Sequence, residues 1–220
     1  RDMRLLSPLE ARVLGVLVEK QATVPDTYPL SLNALVAGCN QKTARHPVIE
    51  ATDADVLAAV DGLKSLSLVF EGSGSRVVRF EHNAGRVLGV PSQAVALLAV
   101  LMLRGPQTAA ELRLNCERLH RFADISSVEG FLDELAAREP PRVVKLARSP
   151  GEREARWAQL LCGDPPASAM RSAANDADGG ALSAGELSAL KAEQTRLAAE
   201  VDSLKAQVQR LVRELGLNPE

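Results

Sequence analysis

Cys39 and His46 stand close together in "CNQKTARH", and a cysteine near a histidine is the raw material of a thiolate nucleophile. Such a pair works when a third group orients the imidazole, and the surrounding stretch supplies none. His82 and His120, like Cys116 and Cys162, are scattered without metal-ligand spacing. HExxH and GxSxG patterns are missing, and "GSGSR" runs into the strand-like "VVRFE" instead of a helix, so it reads as a hairpin turn and not a phosphate cradle. These residues predict a non-enzymatic protein with no catalytic site, metal or cofactor. An odd number of widely spaced cysteines predicts reduced thiols and a cytoplasmic setting. The opening "RDMRLLSP" shows no signal-peptide pattern, and the longest apolar run, 94–103, is too short to cross a bilayer.

The remaining chemistry is charge. Lys42 and Arg45 lie in a polar loop, and Arg76 and Arg79 lie on the second strand of the first hairpin. These four form the candidate contact set for a nucleic acid or a protein partner. Opposing them, the helix that would read DNA, "DADVLAAVDGLKSL", carries Asp53, Asp55 and Asp61 against a single Lys64. Its counterpart later in the chain carries Glu129, Asp133, Glu134 and Glu139 against Arg138. DNA affinity comes largely from neutralising phosphates, and a formal net charge of −2 offers no general attraction to a polyanion. Two readings therefore stand: a protein-interaction or regulatory module, and a DNA-binding transcriptional regulator.

The elements that must carry these residues follow from caps and periodicity. "LSPLEARVLGVLVEK" opens with a Ser7–Glu10 capping box and Pro8 at the first helical position, with Leu9, Val13, Val16 and Leu17 on one face. A short helix follows near 31–39. Thr52 and Asp55 cap a third, whose buried face is Val56, Val60 and Leu63. "LVF" and "RVVRFE" then read as a hairpin. The order repeats: "PSQAVALLAVLMLRG", a helix capped by Thr108 and Glu111, a helix capped by Ser126 and Glu129 with Val128, Leu132 and Leu135 inward, and strands "RVVKLAR" and "EARWAQLL". Trp157 alternates with apolar neighbours and reads as core. Three helices closed by two strands predict an α+β, mainly α chain. Its expected layout is tandem winged helix-turn-helix domains over 1–84 and 85–162, a disordered linker over 163–182 and a C-terminal coiled-coil helix over 183–217.

That tail carries Leu187, Leu190, Gln194, Leu197, Val201, Leu204, Val208, Leu211 and Leu215 in unbroken steps of three and four. Leucine at d with valine at a favours a two-stranded parallel coil, and Gln194 facing its twin sets register. Glu186 and Glu200 at g then meet Lys191 and Lys205 at e of the other helix. The expected partners are a second copy in a parallel homodimer and another protein, with no membrane.

"LSPLEARVLGVLVEKQATVPDTYPLSLNALVAGCNQKTARHPV", with "VLAAVDGLKSLSLV", "PSQAVALLAVLMLRGPQTAAELR" and "RVVKLAR", closely resembles the YceH-like family of uncharacterised bacterial proteins over about residues 5–162. The resemblance implies tandem winged-helix domains, often with a coiled-coil tail, and implies no particular activity. Family members commonly carry an acidic residue where His46 stands here.

Overall fold

The computed structural model describes residues 3–72, 77–148 and 154–165. The expected coiled coil and all of the expected linker beyond Pro165 lie outside the described residues. The protein is mixed α+β, about half helical, with two small antiparallel sheets.

Helix α1, Pro8–Thr23, begins as its sequence dictates. Ser7 Oγ accepts from the Glu10 amide at 3.1 Å, and the Glu10 carboxylate accepts from the Ser7 amide at 2.7 Å. The expected single apolar face is too narrow a description. Every residue from Glu10 to Val18 is buried, because α1 packs against α2 (Leu32–Cys39) and α3 (Asp53–Ser65) and also against α5 (Ser92–Arg104). A helix apolar on most of its circumference belongs inside a core. Helix α5 is the same kind of element, buried from Ala94 to Leu103. The two approach closely at Gly15, where an added Cβ would lie 2.9 Å from Leu103 Cγ and 3.3 Å from the Ala99 carbonyl oxygen.

The first sheet has the order β1-β3-β2, with β1 at Leu30–Ser31, β2 at Val69–Gly72 and β3 at Arg79–His82. Strand β1 was not expected from the sequence. Two residues are too few to show alternation, and only pairing with β3 (Leu30 opposite Phe80, Ser31 opposite Arg79) makes them a strand. Ser31 also caps α2. Helix α3 starts at the expected Thr52–Asp55 box, and Val56, Val60 and Leu63 are fully buried. A short helix α4, Ala84–Leu88, ends at Gly89 in the left-handed conformation and leads to α5.

Beyond α5 the same elements return. Thr108 and Glu111 cap α6, Ala109–Asn115. Helix α7, Ile125–Ala136, departs from the expected Ser126–Glu129 box: Asp124 is its cap, accepting from the Ser127 amide at 2.7 Å, so Ser126 lies inside the first turn. Val128, Leu132 and Leu135 are buried as their spacing predicts. Strands β4 (Val143–Lys145) and β5 (Trp157–Gln159) form the second hairpin. Gln107 exchanges both backbone hydrogen bonds with Trp157, at 3.1 and 2.7 Å. It thereby occupies, just ahead of the α6 cap, the place that β1 occupies ahead of the α2 cap. Phe80 and Trp157, 3% and 2% exposed, are matching aromatic plugs. One hydrophobic cluster runs through both halves, and the Leu6 amide donates to the Leu161 carbonyl at 2.8 Å.

Candidate interaction face

Of the four cations picked out by sequence, the three among the described residues do not form a surface stripe. Lys42 is exposed. Arg45 is not: its side chain is fully buried, with Nη1 and Nη2 on the two Glu19 carboxylate oxygens at 3.1 and 2.6 Å and Nε on the Gly38 carbonyl at 3.0 Å. This corrects its assignment as a surface contact. Arg79 is half-buried and its Nη1 donates to the carbonyls of Pro29 (2.8 Å) and Thr27 (3.3 Å). Arg76 lies outside the described residues.

The loop basicity has a structural cause that sequence spacing conceals. Helix α2 ends at Cys39, where unsatisfied carbonyls carry partial negative charge. Arg45 takes the Gly38 carbonyl, and Arg12, reaching across from α1, takes those of Cys39 and Pro47. Asn40 and Ala51 exchange two further bonds across the loop, 2.8 and 2.9 Å. Burial alone would raise the Glu19 carboxyl; the Arg45 guanidinium, with Lys20 beside it, overcomes this and holds it below the usual range. Burial, with the Arg45 charge adding to it, pulls the Arg12 guanidinium down from its ordinary value.

Cys39 lies in the same cluster, fully buried, and burial pushes its thiol up to about 11. His46 is exposed in the loop, so this sulfur is a protonated core group and not a thiolate activated by an imidazole. Cys116 is likewise pushed up by burial, to about 12. Among the described residues no three His, Cys, Asp or Glu side chains gather as metal ligands, and no helix is long and apolar enough to cross a membrane.

A different face gathers unspent apolar surface. Between α3 and the β2–β3 hairpin runs a groove of about 590 Å³, floored by Phe80. Leu57 on α3 is 42% exposed, and Val77 and Val78 beside β3 are 55% and 47% exposed. Its lysine is already engaged: Lys64 Nζ sits 2.6 Å from Glu71 Oε2 and 3.8 Å from Asp61 Oδ1. The hydrogen bond to Glu71, with both carboxylates nearby, raises the Lys64 ammonium above its usual range. Arg79 lines the groove as well, so its two carboxylates stand against two cations. Sequence reading passed over these apolar residues, although a signal existed. Adjacent valines in an alternating strand cannot both point inward, and Leu57 falls off the Val56–Val60–Leu63 stripe.

The corresponding space in the second half, about 400 Å³ between α7 and the β4–β5 hairpin, is bordered by Glu129, Lys145, Arg148 and Glu154. Lys145 Nζ stands 5.3 Å from the centre of the buried Trp157 ring, a distance suited to cation–π attraction.

The described part of the molecule is thus an α+β scaffold with two helix–hairpin grooves. Residues 6–152 match the family described as "Protein of unknown function, DUF480". The chain is 68% identical to a UPF0502 protein of Leptothrix cholodnii over 217 residues, covering 98% of this chain and 97% of the relative. It is also 68% identical to a UPF0502 protein of Burkholderia multivorans over 221 residues, covering 99% of this chain and 92% of the relative. The chain belongs to this DUF480/UPF0502 family of uncharacterised bacterial proteins, in agreement with the YceH-like resemblance of its motifs.

Proposed function

We propose that the chain is a non-enzymatic winged-helix protein that acts as a protein-interaction or regulatory module, using the groove between α3 and the first hairpin as its binding face. The observation that carries this reading is the groove's surface: exposed Leu57, Val77 and Val78 beside a lysine bound by two carboxylates. An exposed apolar patch of that kind is matched to a protein partner. Each half supports the winged-helix reading by its order of helix, capped helix, helix and hairpin, with a short strand or bridge before the second helix. The heptad seam from Leu187 to Leu215 supports a parallel homodimer, which would present the face twice.

The test is a pull-down of the full-length protein from a lysate of its own source, with and without nuclease, beside a variant carrying Leu57→Asp and Val78→Asp. The expected result is a protein captured in both treatments by the parent and lost in the variant. Duplex DNA binding is expected to be micromolar or weaker and indifferent to sequence. Tight, sequence-selective duplex binding that survives in the double variant would replace this reading with that of a DNA-binding regulator. Light scattering tests the dimer: twice the chain mass is expected, and one chain mass at high concentration excludes it.

A further inference from the structure

Apart from the α3 groove, a cavity of about 460 Å³ lies where the two halves meet. Its walls come from α1, the loop 46–51 and the ends of α5 and β5. Leu9, Ile49, Leu101 and Met102 make it largely apolar, and its volume falls within the roughly 300–1,000 Å³ range of small-molecule sites. Arg12 lines it as well, although that residue is only 3% exposed. A guanidinium has five N–H groups. Nη1 donates to the Cys39 carbonyl and Nη2 to that of Pro47, which leaves three, Nε–H among them, with no acceptor among the described residues. The Pro47 bond is the less buried of the two, and Pro47 itself borders the cavity, so the guanidinium is approached from that side.

The charge on Arg12 is also unmatched. The neighbouring Arg45 shares Glu19 with Lys20, and Arg12 forms no ion pair among the described residues. The other titratable side chains on the cavity wall are Cys162, His46 and Glu50. Burial pushes the Cys162 thiol up, so it stays neutral. His46 and Glu50 are exposed at the mouth, where Glu50 has no hydrogen bond or ion pair to a described residue. A carboxylate in water is strongly screened, whereas a guanidinium packed in protein is not. The inner end of the cavity therefore favours an anion, and Glu50 at the mouth disfavours a second negative charge.

We propose that this cavity binds a small organic monocarboxylate with an apolar body. The carboxylate accepts from the free N–H groups of Arg12, a charge-assisted bond, and the body lies against Leu9, Ile49, Leu101 and Met102. Such a ligand bridges α1 and α5, the two buried helices that join the halves. The proposal goes beyond the protein-binding reading and does not depend on the α3 groove.

The experiment titrates the full-length protein, carbon-13 labelled at its methionine methyls, with sodium octanoate. Octylamine and 1-octanol are the head-group controls. The Met102 methyl resonance is expected to shift, and that of Met3, which does not line the cavity, is expected to stay. Octanoate should bind with a Kd of about 1 mM or tighter, and both controls at least roughly tenfold more weakly. Arg12→Gln should abolish the preference for octanoate over octanol. Because Arg12 also holds the end of α2, two variants at the cavity mouth test the site without touching that contact. Ile49→Asp should weaken octanoate roughly tenfold, and Glu50→Gln should tighten it about twofold. Thermal unfolding checks that each variant keeps its fold. Octylamine binding as tightly as octanoate, a shift at Met3 without one at Met102, or octanoate binding unaffected by Ile49→Asp would each overturn the proposal. So would weaker binding in Glu50→Gln, or no binding of octanoate at all. A short peptide ending in a free leucine carboxylate is the last control: tighter binding of that peptide than of octanoate would assign the site to the C-terminus of a partner protein and overturn the proposal as well.

Discussion

In the first half of the molecule, the space between the third helix and the hairpin is lined by Leu57, Val77 and Val78, with Lys64 locked between carboxylates. In the second half, the corresponding space between α7 and β4–β5 is bordered by Glu129, Lys145, Arg148 and Glu154. The frames beneath these surfaces are alike. Ser31 and Thr108 cap the second helix of each half, and Phe80 and Trp157 plug each sheet opposite Leu30 and Gln107. The difference teaches that frame and surface are specified by separate residues. Inward positions repeat in character, whereas outward positions are free to diverge, because exposed substitutions change stability little.

The comparison is tested most severely at the two plugs. Phe80→Ala and Trp157→Ala should each cost about 3–5 kcal/mol. Both should lower the same unfolding transition, since one hydrophobic cluster joins the halves. Two separate transitions in calorimetry, each moved by only one variant, would show that the halves melt independently. Next comes the buried pair in the first half. Arg45→Met strands Glu19 and is expected to destabilise by about 3 kcal/mol, whereas Lys42→Met should change stability by less than about 0.5 kcal/mol. Equal effects in denaturant melts would return Arg45 to the surface. At the seam between halves, Gly15→Val drives a side chain into Leu103 and the Ala99 carbonyl. A loss of about 2 kcal/mol is expected, and an unchanged Tm would mean that α1 and α5 can slide apart freely.

The main pH effect between about 6.5 and 4 should arise in the first half. Burial lowers the His82 imidazole to about 4, while its Nε2 lies 2.7 Å from Gln21 Oε1 and its Nδ1 faces the Ala84 amide at 3.4 Å. Since the Ala84 amide can only donate, Nδ1 is the acceptor and the Nε2 proton points to Gln21. The unfolded chain therefore holds more protons than the folded one below pH 6.5. Stability should decline as pH falls from about 6.5 to about 4, by roughly 1–2 kcal/mol once partial exposure is discounted. His82→Gln should flatten that slope, and an unchanged slope would place its origin elsewhere. The smallest expected change is in the second half. An added Cβ at Gly130 on α7 meets nothing within 4 Å, so Gly130→Ala should stabilise by up to about 1 kcal/mol. A loss of stability would reveal a contact on that face.

Much of the frame is legible without coordinates. The boxes at Ser7, Thr52 and Thr108, the stripes Val56–Val60–Leu63 and Val128–Leu132–Leu135, and the core role of Trp157 all follow from interactions within a few residues or from period alone. The start of α7 was displaced because Asp124 and Ser126 are both good caps and local chemistry does not rank them. The candidate site was less legible. Among its four cations, the structure turns Arg45 inward and bonds Arg79 to backbone carbonyls, while the apolar groove residues drew no notice.

The amino-acid sequence by itself determined where helices begin, which faces are apolar, that the order of elements repeats, and that the third helices are acidic. Each of these depends on spacing along the chain. Tertiary structure alone decided that α1 is buried on most of its circumference, that Leu30–Ser31 becomes a strand, that the Arg45 cation serves Glu19 and the end of α2, and that Leu57 meets Val77 and Val78 across a groove. Those outcomes depend on which distant segments approach one another. An arginine carries the same charge in the sequence whether its partner is a phosphate in solvent or a carboxylate packed behind it.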